Sequence, residues 1–503
     1  MLRGLYLTLG STVDPALNRD VQAAAARMLA HPLGGVTDIV PGYANVYVEF
    51  DADRLDPARV ERWARERAER GDGPAPTLGR PVEIPVDYRG PDLAEVAART
   101  GLTEAEVIAH HAAPDYQVFA LGFTPGFPYL GMLHPTLQLP RRPTPRSRVP
   151  AHAVAIAGAQ TGIYPTPSPG GWHLLGTALV AVYDLHREEP FLLRPGDTVR
   201  FRPAPPAAAP PEPRPLNLLP VEPRRPLLEV VEPGFQDLIV DGGRTMMGRF
   251  GLARGGPLDA WSAAQANRLA GNRPDAPVIE LSLRGPTLRA CAHGVLGFAG
   301  WGMQPLRAGR PLDPFCQLTV SPGDTISFRP LPFGVRAYLA LPGGVESERF
   351  ADSASVDGRA GIGRALAAGD LLGTAALADR PPPPVIASAS PVGPPEDPVV
   401  VRILAGPQAT ADALAALQHR VFTVRGGDRM GVRLAGPPVP GHDIVSEAVP
   451  LGAIQVTPDG EPIILLHDRG TLGGYAKPAI VDPRDLPRVG QLAAGRRLAF
   501  RLA

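Results

Sequence analysis

Arg194–Pro203 reads RPGDTVRFRP, and Ser321–Pro330 reads SPGDTISFRP, identical at seven of ten positions. Looser copies are AAGDLLG at Ala367–Gly373 and AAGRRLAFRL at Ala493–Leu502. Each places a Gly turn before a run of alternating apolar positions, the signature of a tight turn feeding a half-buried strand. Copies recurring near the ends of successive segments predict β-barrel modules that close with the same kind of strand. The expected fold class is mainly β with some α+β: barrel modules behind a small N-terminal α/β module.

The flanking sequence supplies the boundaries. Residues 203–226 hold 10 prolines in 24 positions, which predicts an extended, semi-rigid linker. A second stretch, Pro381 to Pro398, holds 8 in 18 and divides the second half near residue 390. Upstream, Leu5–Leu9 and Tyr47–Phe50 read as strands. Asp14-Pro15 opens an Ala-rich helix to about Ala30, and Asp56-Pro57 opens a charged helix that Gly71 stops. PVEIPVDY begins the next segment, followed by short helices from Asp92 and Thr103 and then Gly/Pro-punctuated β pattern from Tyr116. The expected organisation is a module at 1–78, a barrel at 79–202, the linker at 203–226, and β-barrel regions at 227–390 and 391–503.

Composition narrows the function. Fifty basic residues balance fifty acidic ones, so there is no excess positive charge for nucleic acid or an anionic membrane. Gly 56 and Pro 62 argue against a helical bundle. Cys291 and Cys316 form no CxxC pair, and no metal-binding spacing occurs. No 18-residue apolar run or signal-type leader is present, so a cytoplasmic location is expected. Phosphate-loop, HExxH, EF-hand and GxSxG signatures are absent. Forty-nine of the fifty basic residues are Arg, which makes the single lysine, Lys477, a marked position.

Four motifs combine turn residues with chemistry. The first is GFTPGFPYLG at Gly122–Gly131, with Arg141, Arg142 and Arg146 downstream. The second is Gln160-Thr-Gly-Ile-Tyr164 running to Trp172. Gln160, Tyr164 and Trp172 suit stacking and hydrogen bonding to a planar ligand, with Arg142 as a carboxylate or phosphate clamp; a buried aromatic plug is the alternative. In the third, Asp259 reads as the N-cap of AWSAAQANRLA, and Asp241 and Arg244 as a turn-stabilising ion pair. The fourth runs Asp428-Arg429-Met430, Ser446-Glu447, Gln455, Asp459-Gly460, His467-Asp468-Arg469 and Gly473-Gly-Tyr475-Ala-Lys477. Polar residues at the ends of adjacent barrel strands meet at one mouth, so Gln455, Asp459, Asp468, Tyr475 and Lys477 are expected to line one cleft. Lys, unlike Arg, loses its proton when desolvated.

These motifs resemble a known family. GFTPGFPYLG, PRR..PR..VP and QTGIYPTPSPGGW resemble subunit 1 of bacterial 5-oxoprolinase, also called allophanate hydrolase. QDLIVDGGRTMMGRFGLARGGPLDAWSAAQANRLAGN, DRMGVRLAGPPV, SEAVPLGAIQVTPDGEPIILLHDRGTLGGYAKPA and the C-terminal segment resemble subunit 2. The chain looks like a fusion of the two, joined at 203–226. It departs from the family's Gly-Ser after Val-Pro-Ala at His152-Ala153, and from Gly-Arg-Thr-Pro at Gly176-Thr177-Ala178-Leu179.

The resemblance implies cyclophilin-like barrels and a role in ATP-dependent cleavage of 5-oxoproline with a separate third subunit. The same pair resembles the carboxyltransferase of urea carboxylase, with biotin on a separate carrier, and a non-enzymatic regulator of a histidine kinase. A small-molecule substrate and a homo-oligomer are further expectations. Under the oxoprolinase reading, Lys477, Asp459, Asp468 and Gln455 are the catalytic candidates. Arg142, Gln160, Tyr164, Trp172, Arg429 and Tyr475 are the substrate-binding candidates, and no metal ligand is expected.

Overall fold

The computed structural model describes residues 1–69, 79–375 and 396–503. The expected helix stop at Gly71 and the division near residue 390 lie outside the described residues. The N-terminal module is an antiparallel sheet with Asn45–Asp51 between Leu2–Thr8 and Val36–Pro41. Helices Pro15–Ala30 and Pro57–Glu69 share its core through Val21, Ala24, Met28, Val60 and Ala64. Asp14 caps the first helix, its carboxylate accepting from Leu17 N at 2.8 Å, and Pro15 stands where an N–H would have no partner.

The chain is mainly β, and two parts of it are barrels of one design. In the first, seven strands between Pro81–Asp87 and Thr198–Pro203 close into a ring. In the second, seven strands between Val399–Ala405 and Arg497–Leu502 close through the pairing of Val399–Ala405 with Leu472–Val481. In both rings the first strand lies parallel to the last, and the last lies antiparallel to the second: Tyr116–Leu121 in one, Val421–Gly427 in the other. Between them, 226–374 form a six-stranded and a five-stranded sheet that share one apolar core, with helix Ala260–Leu269 on the smaller sheet. Asp259 caps that helix as expected, accepting from Ser262 N at 2.9 Å.

The repeated motif is one turn used four times. Gly196, Gly323, Gly369 and Gly495 have φ of 89°, 87°, 87° and 83°, the left-handed region that favours glycine. In three copies the next residue is Asp, and its carboxylate accepts from the N–H three residues back: Asp197 to Arg194, Asp324 to Ser321, Asp370 to Ala367. Pro before Gly in the first two copies presets the turn. The copies at 196 and 495 lead into the equivalent closing strands of the two barrels.

The proline-rich segment is mostly exposed and is anchored near its C-terminal end. Leu218 and Leu219 are buried, and Leu216 exchanges backbone hydrogen bonds with Gly361 and Gly363. His152 has φ of 66° and places Nε2 3.1 Å from Pro211 O, a contact between the first barrel and the proline-rich segment. The expected Asp241–Arg244 pair is not formed. Asp241 accepts from Ser353 Oγ, Ser355 Oγ and Ala354 N, and its ion pair, at 3.4 Å, is with Arg349. Arg244 instead donates to Ser355 O.

Candidate functional site

Lys477 lies in the strand Leu472–Val481 and is fully buried. Its Nζ is 3.0 Å from Glu447 Oε1, on the neighbouring strand Asp443–Ala448. Glu447 also accepts from Gln408 Nε2 and, across the junction with the N-terminal module, from Asn45 Nδ2, both at 2.8 Å. Gln408 Oε1 in turn accepts from Lys477 N at 3.0 Å. Burial pulls the Lys477 ammonium below its usual 10.5, against the opposing pull of Glu447. Gln455 joins this group. Its Nε2 is buried without a hydrogen-bond partner beside Gly473, which pairs with Glu447 across the strands. A Cβ on Gly473 would collide with that nitrogen, so only glycine leaves room.

The other members of the expected cleft are elsewhere. Asp459 sits at the exposed Pro458–Gly460 turn, and Tyr475 is 39% exposed. Asp468 binds Arg429 through both oxygens, at 2.8 and 3.0 Å. Arg429 also donates to Glu280 at 2.5 Å and to Gly256 O at 2.7 Å. Burial raises the Asp468 carboxyl to about 6 despite the guanidinium. This pair forms the floor of a cavity of about 310 Å³ between the turns around residues 357, 429 and 468.

The first-half candidates divide likewise. Gln160 Nε2 donates to Tyr43 OH at 2.6 Å, which brings it to the Gly42–Asn45 turn that also supplies Asn45. Tyr164 and Trp172 are buried edge-on against Phe127, with ring centres 5.2 and 5.6 Å away; the motif forms an aromatic plug. Arg142 pairs with Glu95 at 2.7 Å and Asp92 at 3.3 Å, bracing a helix start. Among the described residues no group of three His, Cys, Asp or Glu side chains is placed to hold a metal ion.

Sequence reasoning quoted Glu447 without giving it a role and passed over Asn45, Gln408 and Glu280. Each is a single polar residue in an ordinary strand or turn. A buried lysine does, however, require a carboxylate partner, and Glu447 is one of four carboxylates in its motif.

Among known proteins, carboxyltransferase domain, subdomain C and D, matches residues 2–193, and carboxyltransferase domain, subdomain A and B, matches residues 250–502. The chain belongs to the carboxyltransferase domain family. The B-type subunit of 5-oxoprolinase from Escherichia coli O157:H7 is 43% identical over 208 residues, 40% of this chain and 91% of that protein. The C-type subunit of 5-oxoprolinase from Haemophilus influenzae is 29% identical over 285 residues, 54% of this chain and 90% of that protein. This carboxyltransferase-family chain thus joins counterparts of the two subunits in one polypeptide. The urea amidolyase of Lachancea kluyveri is 29% identical over 314 residues, only 17% of that enzyme. The crystal structure of TTHA0988 superposes over the full length of both chains with a TM-score of 0.94 and 52% identity. No helix among the described residues is long and apolar enough to cross a membrane.

Proposed function

We propose that this chain is the joined B- and C-type component of an ATP-dependent 5-oxoprolinase, cleaving 5-oxoproline to glutamate with a separate third subunit. The observation that carries the reading is the presence of nearly complete counterparts of both named subunits in one chain, covering 91% and 90% of them. Both halves contribute to the Lys477 group, since Asn45 comes from one and Glu447 from the other. A polar group that closes only when the two halves dock suits an activity that needs both.

The cations here do not fit a triphosphate. Lys477 is neutralised by Glu447 and Arg429 by Asp468 and Glu280, and the chain has no phosphate loop. ATP handling is therefore assigned to the third subunit. This chain would supply lactam binding and proton transfer: a buried ammonium of lowered proton affinity, ion-paired with a carboxylate, gives its proton to the departing ring nitrogen, while Glu447 takes the proton that the attacking water releases and returns it to the amine. The test is ADP release by the purified chain with its third subunit, with and without 5-oxoproline. Substrate-stimulated release supports the reading; trace turnover indifferent to 5-oxoproline refutes it.

The urea amidolyase match favours a second reading, transfer of a carboxyl group from biotin on a separate carrier to urea. The sole lysine is fully buried, so this chain does not itself present a lysine for biotin attachment. Urea-dependent loss of carboxyl from a carboxybiotin carrier, with no response to 5-oxoproline, would select it.

A further inference from the structure

The cavity above the Arg429–Asp468 pair has polar groups that the protein itself leaves unused. Its floor is closed, because Arg429 donates to two carboxylates and a carbonyl, and both Asp468 oxygens are taken. On one wall, Arg364 is held by both oxygens of Asp370 at 2.7 Å. Two groups remain. Arg359 reaches only the carbonyl oxygens of Asp468 and Phe123, each at 3.4 Å, with no carboxylate partner among the described residues. Asp428 uses one oxygen to accept from Met430 N and Gly431 N and leaves the other without a hydrogen bond.

The base of Arg359 is rigid while its head is uncommitted. Buried Asp357 accepts from Arg359 N at 3.1 Å and Ala360 N at 3.0 Å, and Tyr183 OH donates to Ala360 O at 2.7 Å. The planar fork of a guanidinium matches a carboxylate through two parallel hydrogen bonds. The floor is charge-balanced, because Asp468 pairs with Arg429 and Glu280 pairs with Arg429 and, at 3.8 Å, with Arg336. At about 310 Å³ the space is at the small end for ligand sites.

We infer that this cavity binds a small carboxylate that also carries an N–H donor, an α-amino acid or its lactam, with Arg359 gripping the carboxylate and Asp428 accepting from the nitrogen. The cavity does not include the Lys477 group, so the inference concerns a separate binding site, and it rests on the proposed function only for the choice of the lactam. The geometry itself requires only the pairing of carboxylate and N–H.

Titration calorimetry on the full chain alone, without ATP or a third subunit, tests it with three probes: 5-oxoproline, L-glutamate and 2-pyrrolidinone, which lacks the carboxylate. Saturable binding of 5-oxoproline or L-glutamate is expected, weakened at least ~10-fold in Arg359→Gln and partly restored in Arg359→Lys, with 2-pyrrolidinone bound far more weakly. The inference is overturned if neither carboxylate saturates the chain by about 10 mM, or if Arg359→Gln binds as well as the wild type. Glutamate binding that depends on Arg359, without any 5-oxoproline binding, upholds the cavity and counts against the oxoprolinase reading alone.

Discussion

Lys477→Met removes one member of a buried ion pair, and the structure sets the size of the effect. Lys477 is fully enclosed and the Glu447 side chain is 13% exposed, so the carboxylate left behind gains little water. Breaking such a pair costs about 3–5 kcal/mol. Glu447 keeps the amide donors of Asn45 and Gln408, which places the cost at the lower end, about 3 kcal/mol, or roughly a hundredfold in the local opening equilibrium. Lys477→Met with Glu447→Gln leaves no charge and keeps an acceptor for one of the two amides, so the double variant recovers part of the loss. The assay is amide hydrogen exchange by mass spectrometry on peptides from residues 443–481, which reads local opening within a multi-unit chain. Protection falls in the single variant and returns in part in the double. The proton balance supplies a second check. Because folding lowers the Lys477 value, stability rises with pH between that lowered value and 10.5, and Lys477→Met flattens this slope. Unchanged protection in the single variant, or a double variant as open as the single, refutes the pairing argument.

Four further outcomes follow from the geometry. Asp237 is buried with its carboxyl pushed up to about 6 from 3.8, so its contribution is complete below 3.8 and is lost as pH rises through 6; Asp237→Asn flattens the Tm profile between those two values. Trp172→Ala costs about 3–5 kcal/mol in chemical unfolding of the first barrel and is expected to leave KM unchanged, because the buried ring packs on Phe127 and Tyr129. Gly406→Ala drives a Cβ into the Lys477 carbonyl oxygen; the displaced strand lowers stability by about 1–3 kcal/mol and reduces ADP release in the reconstituted assay. Asn45→Ala removes one donor to Glu447 across the halves and is expected to reduce substrate-stimulated ADP release while the first barrel's exchange protection stays as it was.

Much of the fold was legible because its signals are local. The Asp14-Pro15 helix start, the Asp259 cap and the turns at Gly196, Gly323, Gly369 and Gly495 depend on residues within four positions of one another. The site was legible only in part. Lys477 was conspicuous as the single lysine, and Gln455 does lie beside its carboxylate partner. Asp468 shares the motif with Lys477 but turns to Arg429, because the nearest buried guanidinium is the stronger claim on a desolvated carboxylate.

The sequence by itself determined the barrel class and the repeated turn, since periodicity and turn chemistry act over a few residues, while the family was read from the resemblance of its motifs. Only the tertiary structure decided the partners: Asn45 with Glu447 across 402 positions, Arg429 with Glu280 across 149, and His152 with the carbonyl of Pro211. Nothing local specifies such pairs. They form where folding withdraws charged and polar groups from water and each must find its complement among whatever groups the packed strands bring near.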